Sequence, residues 1–347
     1  MSRLRDVPLS ALDVAPVTTA TDARTALRHT RELAQHVERL GFTRFWLAEH
    51  HAMPGIASSS PAILIGHVAD ATTTMRVGSG GVMLPNHPPL VVAEQFGTLS
   101  ALHPGRIDLG IGRAPGTDPR TAQALRRTTG PLSVDDFPHQ LSELTGYFDG
   151  TEELNAVPAT GNKPDVFLLG SSGYSAQVAG LLGLPFAFAH HFSAENTLPA
   201  LALYRERFRP SARLSEPYAL VCASVIIADT EEHALRIGGP GALAWVQIRN
   251  GKPAPLATDQ EAADYPYTDF ERMVYEARIA EQVIGSPATV AAELEQLLED
   301  SRADELMVMT MVAEQSDRLR SYELLADIAG RSPIQDSSER VKTGAEV

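Results

Sequence analysis

Short apolar runs alternate with longer stretches of mixed polarity along the chain. The apolar runs are typical of strands buried in a sheet. The longer stretches repeat their apolar residues every three or four positions, which is typical of helices with one buried face. The pattern predicts eight strands, at residues 8–15, 44–48, 75–79, 106–110, 165–170, 185–189, 218–228 and 305–310.

A predicted helix follows most of these strands. Helices are predicted at residues 23–40, 61–72, 89–102, 121–127, 134–148, 174–182, 195–208, 270–283, 288–299 and 318–328. Alternation of strands and helices at this spacing favours a parallel sheet, and eight repeats favour a closed (β/α)8 TIM barrel. An open doubly wound sheet is the alternative that this pattern leaves open.

One segment between the last two predicted strands is too long for a simple connection. Residues 238–284 contain the glycine- and proline-rich sequences GGPG and NGKPAPL as well as the predicted helix at 270–283. We interpret this segment as an insertion near strand 7, and long insertions in compact domains are frequently functional. The predicted organisation is a single barrel domain over residues 1–331, followed by a polar, flexible tail at 332–347.

Composition and charge narrow the classes of function. The formal net charge of −14 argues against nucleic acid and against an anionic membrane surface as partners, because both attract basic faces. A single cysteine, Cys222, excludes a disulfide within the chain and a metal site made of cysteines. The sequence shows neither an apolar signal-peptide core nor a run of about 18 apolar residues, and we expect a soluble cytoplasmic protein.

Candidate chemistry gathers where the predicted strands end, and active sites of barrels lie at the carboxyl ends of their strands. Five of the eight strand ends carry polar or glycine-rich segments. These are Glu49-His50-His51 after strand 2, Ser79-Gly80-Gly81 after strand 3, GIGRAPG with Arg113 after strand 4, GSSGYS at residues 170–175 after strand 5, and His190-His191 after strand 6. We expect the five segments to surround one site.

The GSSGYS sequence gives the clearest indication of a ligand. Its glycines permit a tight turn and a helix begins at once, so that backbone N–H groups and the hydroxyls of Ser171 and Ser172 face one point. That arrangement suits a phosphate group, and Arg113 would add a fixed positive charge. The alternative is an ordinary helix cap made by Ser171 or Ser172.

The Glu49-His50-His51 segment has three interpretations. The three residues could bind a metal ion, but adjacent side chains on an extended segment point in opposite directions, and we expect no metal. His50 could handle a proton, since imidazole titrates near neutral pH. The segment could also end a strand without taking part in any chemistry.

Other residues near the predicted strand ends are less specific. Gly80 and Gly81 would let the backbone turn sharply or let a flat ligand approach closely. His190 and His191 suit the wall of a pocket. His87, in the sequence NHPP, has the context of a turn residue.

Four long segments, in this order, resemble the bacterial luciferase-like family of flavin-dependent oxidoreductases and, within it, the alkanal monooxygenase-like subgroup. They are PLSALDVAPV, FWLAEHHAMPGIASSSPAILIGHVA, RVGSGGVMLPNHPPLVVAEQFGTLSALHPGRIDLGIGRAPGTD and LLGSSGYSAQVAGLLGLPFAFAHHF. The resemblance runs from strand 1 to about Ile328. It implies a (β/α)8 barrel that holds FMN, with reduced FMN as the working form.

The resemblance also implies roles for individual residues. His50 matches a histidine near the reactive edge of the flavin and is the predicted catalytic residue. Gly80–Gly81 matches a cis peptide that supports the flavin ring, and Arg113 matches a phosphate contact. The predicted cofactor-binding residues are Ser79, Gly80, Gly81, Arg113, Gly170, Ser171, Ser172 and Tyr174. The predicted substrate pocket consists of Glu49, His190 and His191.

The resulting expectation is a monooxygenase that uses reduced FMN and O2 on a small organic substrate, with a separate flavin reductase as the source of reduced FMN. A deazaflavin-dependent oxidoreductase that transfers hydride and a flavin-binding protein without turnover are alternatives. A metal-dependent hydrolase is a weaker one. The aromatic residues of the insertion could line the substrate pocket or pack together; they are Trp245, Tyr265, Tyr267 and Tyr275.

Light emission and the pairing of unlike subunits are not implied. A true luciferase has a reactive cysteine near the flavin, whereas Cys222 lies on predicted strand 7. We expect a homodimer built through the helices that follow strands 2 and 3.

Overall fold

The computed structural model describes residues 2–114, 118–126 and 136–331. Its strands are β1 (Leu9–Asp13), β2 (Arg44–Leu47), β3 (Arg76–Met83), β4 (Ile107–Gly112), β5 (Asp165–Gly170), β6 (Phe186–Ala189), β7 (Ala219–Ile227), β8 (Val283–Gly285) and β9 (Glu305–Met309). Eight of them form a closed parallel barrel in the order β1-β2-β3-β4-β5-β6-β7-β9, in which β9 pairs with β1. The predicted (β/α)8 barrel is therefore confirmed.

Helices surround the barrel. They are α1 (Arg3–Asp6), α2 (Ala23–Arg39), α3 (Pro61–Ala71), α4 (Pro89–Leu102), α5 (Pro119–Arg126), α6 (Phe137–Asp149), α7 (Gly173–Leu182), α8 (Thr197–Arg207), α9 (Glu231–Arg249), α10 (Asp259–Asp264), α11 (Asp269–Ala280), α12 (Pro287–Ser301) and α13 (Gln315–Ile328). None of the helices within the described residues is both long and apolar enough to cross a lipid bilayer.

Strand β3 is longer than the sequence pattern predicts. It does not end at Ser79 but continues through Gly80 and Gly81 to Met83. The reason is its pairing with β4, because the register shifts after Gly80 and the ladder then resumes. The predicted strand-end residues Ser79, Gly80 and Gly81 therefore lie within a strand.

The predicted insertion also differs from the expectation. Its GGPG sequence lies inside helix α9, with Pro240 within the helix. Small residues suit this position because a Cβ atom on Gly238 would lie 3.0 Å from Ile284 Cδ1 on β8. The short strand β8, which pairs with the end of β7, was not predicted, and neither was the one-turn helix α1.

Some predictions fall on residues outside the described part of the chain. These are the last residue of the predicted helix at 121–127, the first two of the helix at 134–148, and the tail at 332–347. The extent of the barrel domain, residues 1–331, stays a prediction.

The interior of the barrel follows the alternation of side chains along its strands. On β2, Trp46 points inward while Phe45 and Leu47 point outward to the helices. Strand β5 repeats this arrangement, with Phe167 inside and packed edge-on against Trp46 at 5.0 Å between ring centroids. The inward-pointing residues form a small core within the barrel, and the larger core lies between the barrel and its helices.

Charged residues close the barrel at the amino ends of its strands. Asp108 is fully buried and accepts hydrogen bonds from Arg44 (2.8 Å), Arg76 (2.6 Å) and Trp46 Nε1 (3.0 Å). Arg44 also contacts the buried Glu305 at 3.0 Å. Burial alone would lower the pKa of the Arg44 guanidinium, but the charges of Asp108 and Glu305 raise it above its usual range. Each buried charge at this end therefore has a partner of opposite sign.

Candidate functional site

A cleft with a cavity volume of about 200 Å³ opens at the carboxyl ends of the barrel strands. Its floor consists of inward-pointing residues of four strands: Leu12, Trp46, Leu220, Cys222 and Met307. The alternation that fills the barrel core thus also supplies an apolar floor to the cleft. Burial raises the pKa of the Cys222 thiol, so that Cys222 is a neutral part of this floor at physiological pH.

One wall of the cleft is made by the two glycines of β3. The Gly80–Gly81 peptide is cis, as the resemblance implies. A Cβ atom on Gly80 would lie 2.6 Å from Leu12 Cδ1, and one on Gly81 would lie 2.7 Å from the carbonyl oxygen of Gly110. Ser79 is fully buried behind this wall, where its hydroxyl donates to the Gly110 carbonyl at 2.9 Å. Close packing of β3 against β4 therefore requires glycine at position 81, whereas a Cβ atom at position 80 would press on the Leu12 side chain of the cleft floor.

One end of the cleft is rich in hydrogen-bond donors. Gly170, Ser171 and Ser172 line it just before helix α7 begins. Ser172 occupies the position that caps the helix, yet its side chain makes no capping hydrogen bond. The N–H groups of the first turn therefore lack a side-chain acceptor from this residue, and an anion could take its place.

Arg113 supplies a positive charge at the same end. Its side chain lines the cleft, and its guanidinium lies 4.2 Å from the centroid of the Tyr174 ring in the first turn of α7. No carboxylate of the described residues forms an ion pair with Arg113. The charge of Arg113 is thus held against the start of α7 by an aromatic ring and is available to an anionic ligand.

Glu49 lies outside this cleft. It is fully buried, and one of its oxygens, Oε1, contacts the Nε2 atoms of His51 (2.8 Å) and His87 (2.7 Å). The other oxygen accepts a hydrogen bond from the Met83 N–H at 3.0 Å. Burial would raise the pKa of this carboxyl, but the hydrogen bonds from His87, His51 and Met83 together lower it. The carboxylate borders a separate, smaller cavity and not the predicted substrate pocket.

His51 and His87 are the histidines hydrogen-bonded to Glu49, and His50 is not one of them. Its Nδ1 atom is buried and has no hydrogen-bond partner in the described part of the chain. Burial lowers the pKa of the ring although the charge of Glu49 opposes this effect. His50 does not line the cleft, whereas His191 does. A positive charge on His50 would lower the pKa of His191, because the two rings lie near each other. The predicted catalytic residue therefore lies near the cleft wall and has an unused nitrogen.

The two histidines after β6 separate. His191 lines the cleft, and its Nδ1 lies 3.0 Å from the Cys222 carbonyl oxygen. Burial lowers its pKa to about 4, so that the ring is neutral at physiological pH. His190 is not part of the lining, because its Nδ1 turns to the Thr197 hydroxyl at 2.7 Å. Of this pair, only His191 lies where the substrate pocket was predicted.

Comparison with known proteins identifies the family. The profile of luciferase-like monooxygenases matches residues 9–305. The chain belongs to this family. A luciferase-like monooxygenase of Escherichia coli (strain K12) is 45% identical over 327 residues, which cover 93% of this chain and 97% of that protein. The predicted resemblance is confirmed, and the chain belongs to a family of enzymes.

Two solved structures share the barrel. Apo-MsnO8 superposes with a TM-score of 0.87 at 37% identity, covering 94% of this chain and all of that chain. The oxygenating constituent of 3,6-diketocamphane monooxygenase from Pseudomonas putida, solved in complex with FMN, gives a TM-score of 0.71 at 18% identity. It covers 95% of this chain and all of its own. The second likeness shows the fold alone.

The aromatic residues of the insertion do not line the cleft of this family member. Tyr265, Tyr267 and Tyr275 pack edge-on against one another, with the Arg272 guanidinium 4.1 Å from the Tyr267 ring centroid. Trp245 stacks instead on Arg278, 4.8 Å from its ring centroid. Packing is therefore the observed role of these side chains.

Several cleft residues were not predicted from the sequence. Besides the floor, they include Met83, Leu169, Ala187, Phe188, Ala189 and Phe192, whereas Gly112, Ala114 and Ser175 lie within the predicted segments GIGRAPG and GSSGYS. Many of them are apolar residues at or just beyond the carboxyl ends of strands. The inward phase of each predicted strand was the signal that could have found them, because every second residue of a barrel strand faces the interior.

Proposed function

We propose that this luciferase-like monooxygenase binds reduced FMN and uses O2 to oxygenate a small organic substrate. The observation that carries the proposal is the pairing of an unneutralised Arg113 with the uncapped start of α7 at one end of an otherwise apolar cleft. A flavin phosphate needs such an anion site, whereas its ring system needs a flat, apolar space. A structure of the same fold was solved with FMN, which supports the choice of cofactor.

The residues present fit such a group. Arg113 and the hydroxyls of Ser171 and Ser172 would hold the phosphate, together with the N–H groups of the first turn of α7. The glycine wall of Gly80 and Gly81 would border the ring, since no side chain projects from it into the cleft. When bound, reduced FMN supplies the electrons that activate O2.

The remaining work falls to residues of the chain itself. The apolar floor would exclude water from the reacting groups, and this exclusion limits side reactions in buried sites. The cleft lining contains no carboxylate among the described residues, so that the site favours a neutral or apolar substrate. His50, with its unpartnered Nδ1, would take up or release the proton that oxygenation requires.

Two partners complete the proposal. A separate flavin reductase would deliver reduced FMN to the cleft. A second copy of the chain would pack on the helices after β2 and β3, where Ile63 of α3 is 74% exposed and Val91 of α4 is 40% exposed. Light scattering on the purified protein measures the mass of this assembly, and a monomer would remove the homodimer from the proposal.

The experiment that tests the cofactor is an anaerobic binding titration of the purified chain. Oxidised FMN, reduced FMN and a deazaflavin coenzyme are compared. We expect reduced FMN to bind most tightly and O2 to be consumed when the complex is mixed with oxygenated buffer. Preference for the deazaflavin would overturn the proposal in favour of hydride transfer without oxygen. A complex with reduced FMN that consumes no O2 would leave a flavin-binding protein without turnover.

A further inference from the structure

The smaller cavity beside Glu49 holds a second cluster of chemical groups. Its volume is about 170 Å³, and it is lined by Glu49, His51 and His87 together with the start of helix α3. It shares no lining residue with the main cleft. Its groups are therefore not required by the proposed flavin site.

We propose that Glu49, His51 and His87 form a binding site for a divalent cation of the zinc type. Each offers one ligand atom, and the three atoms lie within 4.8 Å of one another. One carboxylate and two imidazoles are a ligand set that zinc uses in proteins, with a fourth position left to water. The cavity beside the three ligands leaves space for that water.

The charge balance of the buried carboxylates supports this assignment. Four carboxylate side chains of the described chain are fully buried: Asp13, Glu49, Asp108 and Glu305. Asp13 pairs with Arg318, and Asp108 and Glu305 both pair with Arg44. Glu49 differs because its recorded ion-pair partners within the described residues are two histidines. A buried carboxylate needs positive charge nearby, and a divalent cation between these ligands would provide it.

Support around the three side chains holds them in place. The Met83 N–H donates a hydrogen bond to Oε2 of Glu49. The other carboxylate oxygen, Oε1, contacts both histidines. The His87 N–H donates to the Leu84 carbonyl at 3.0 Å, which fixes the backbone of that ligand. Hydrogen bonds to coordinating side chains orient them in metal sites and raise the affinity for the metal ion.

The site needs only a small rearrangement to accept an ion. Without one, both imidazoles lie at hydrogen-bond distance from a single oxygen, at 2.8 and 2.7 Å. Two ligands on a tetrahedral zinc ion with bonds of ~2.0–2.1 Å are about 3.4 Å apart. Each histidine nitrogen would move away from the carboxylate oxygen by about 0.6–0.7 Å, the difference between ~3.4 Å and the present distances. His87 has room for this movement because it is partly exposed.

From the sequence alone, a different set of possible metal ligands was considered. There Glu49, His50 and His51 were the candidate ligands, and no metal was expected because adjacent side chains on an extended segment point in opposite directions. Glu49 and His51, two positions apart, do meet, with Oε1 and Nε2 at 2.8 Å, whereas His50 is not part of the ligand group. The third ligand is His87, which comes from the end of the next strand.

The test uses the full chain, treated with a chelator and kept free of flavin. Calorimetric titration with Zn²⁺ is expected to give one ion per chain, and Co²⁺ is expected to give a visible ligand-field absorption band. His87→Ala should weaken Zn²⁺ binding by roughly 100-fold or more and abolish the Co²⁺ band. His67→Ala, which removes an exposed histidine of α3 outside the cluster, is the matched control and should change neither result.

A second variant keeps the test decisive. Glu49→Gln should have the same effect as His87→Ala, but the buried position of Glu49 puts its folding at risk. Circular dichroism therefore confirms the fold of each variant before titration. Absence of stoichiometric Zn²⁺ binding by the unaltered chain would overturn the proposal. So would binding that the folded His87→Ala variant retains, since this would mark an adventitious ion only. Because flavin is absent throughout, neither outcome depends on the FMN proposal.

Discussion

The two ends of the barrel differ in whether their polar and charged side chains have partners. At the amino ends of the strands, Asp108 and Glu305 are buried and paired with arginines. At the carboxyl ends, Arg113 has no carboxylate partner among the described residues, Ser172 does not cap its helix, and His50 has an unpartnered nitrogen. Paired charges stabilise a fold, whereas unpaired groups cost stability and persist where a ligand uses them. The first end therefore holds the barrel together, whereas the second, although Asp13 and Arg318 form a buried ion pair there, carries the groups that would bind and react.

The largest expected effect comes from breaking the paired end. Asp108→Ala would leave Arg76 and part of Arg44 without their buried partner, and loss of one member of a buried pair costs about 3–5 kcal/mol. Urea unfolding should show this loss, while the FMN affinity of the folded fraction stays unchanged. Asp165→Ala is the control, since Asp165 is half-exposed and should cost at most about 1 kcal/mol. Equal losses in both variants would contradict the contrast between the two ends.

At the carboxyl ends of the strands, substitution of His50 is expected to reduce turnover and to leave stability unchanged. His50→Gln should lower turnover by roughly 10²–10⁴-fold, the usual contribution of a positioned proton donor or acceptor. Its affinity for reduced FMN and its free energy of unfolding should change little. Steady-state oxygen consumption at saturating FMN measures the effect. Turnover equal to that of the unaltered enzyme would remove His50 from the reaction.

A smaller effect is expected for Arg113, because it acts on binding alone. A hydrogen bond to a charged group contributes about 1.5–3 kcal/mol, so that Arg113→Ala should weaken FMN binding by roughly 10–150-fold. Arg113→Lys keeps the positive charge but loses the planar guanidinium group. Its FMN affinity should lie between those of the unaltered protein and Arg113→Ala. Fluorescence titration gives the dissociation constants. Affinity that survives both substitutions would place the phosphate elsewhere.

The smallest effect concerns pH and His191. Its pKa is lowered from 6.5 to about 4 by burial, so that below pH 6.5 the unfolded chain binds a proton that the folded chain does not. The resulting stability is present above pH 6.5 and is lost as the pH falls towards 4. At pH 5 the loss is about 2 kcal/mol.

The measurement compares urea unfolding of the unaltered chain and His191→Asn at pH 7 and pH 5. The difference in unfolding free energy between the two proteins should shift by about 2 kcal/mol between these pH values, in favour of the variant at pH 5. If the difference in unfolding free energy were the same at both pH values, His191 would not contribute to the loss of stability at low pH.

The candidate site was predictable wherever one segment carries its own geometry. The GSSGYS turn predicts donors at the start of a helix, and the structure shows this start with the Ser172 side chain free of a capping bond. Gly80 and Gly81 were found as sites of close approach, although the structure places them inside β3. The apolar floor was not predicted: the inward phase of each strand marks candidate residues, but which of them meet beneath the cleft depends on the closure of the barrel.

By itself the sequence determined the barrel and its family. Alternation of apolar runs and amphipathic stretches records local periodicity and burial, and eight repeats allow few ways to close a parallel sheet. Only the tertiary structure decided which side chains meet. Glu49 and His87 are 38 positions apart and touch, whereas the Nδ1 atom of His50, next to Glu49, has no hydrogen-bond partner among the described residues. Periodicity fixes the direction of a side chain along its own element, but a distance between two elements depends on how all the strands and helices pack together.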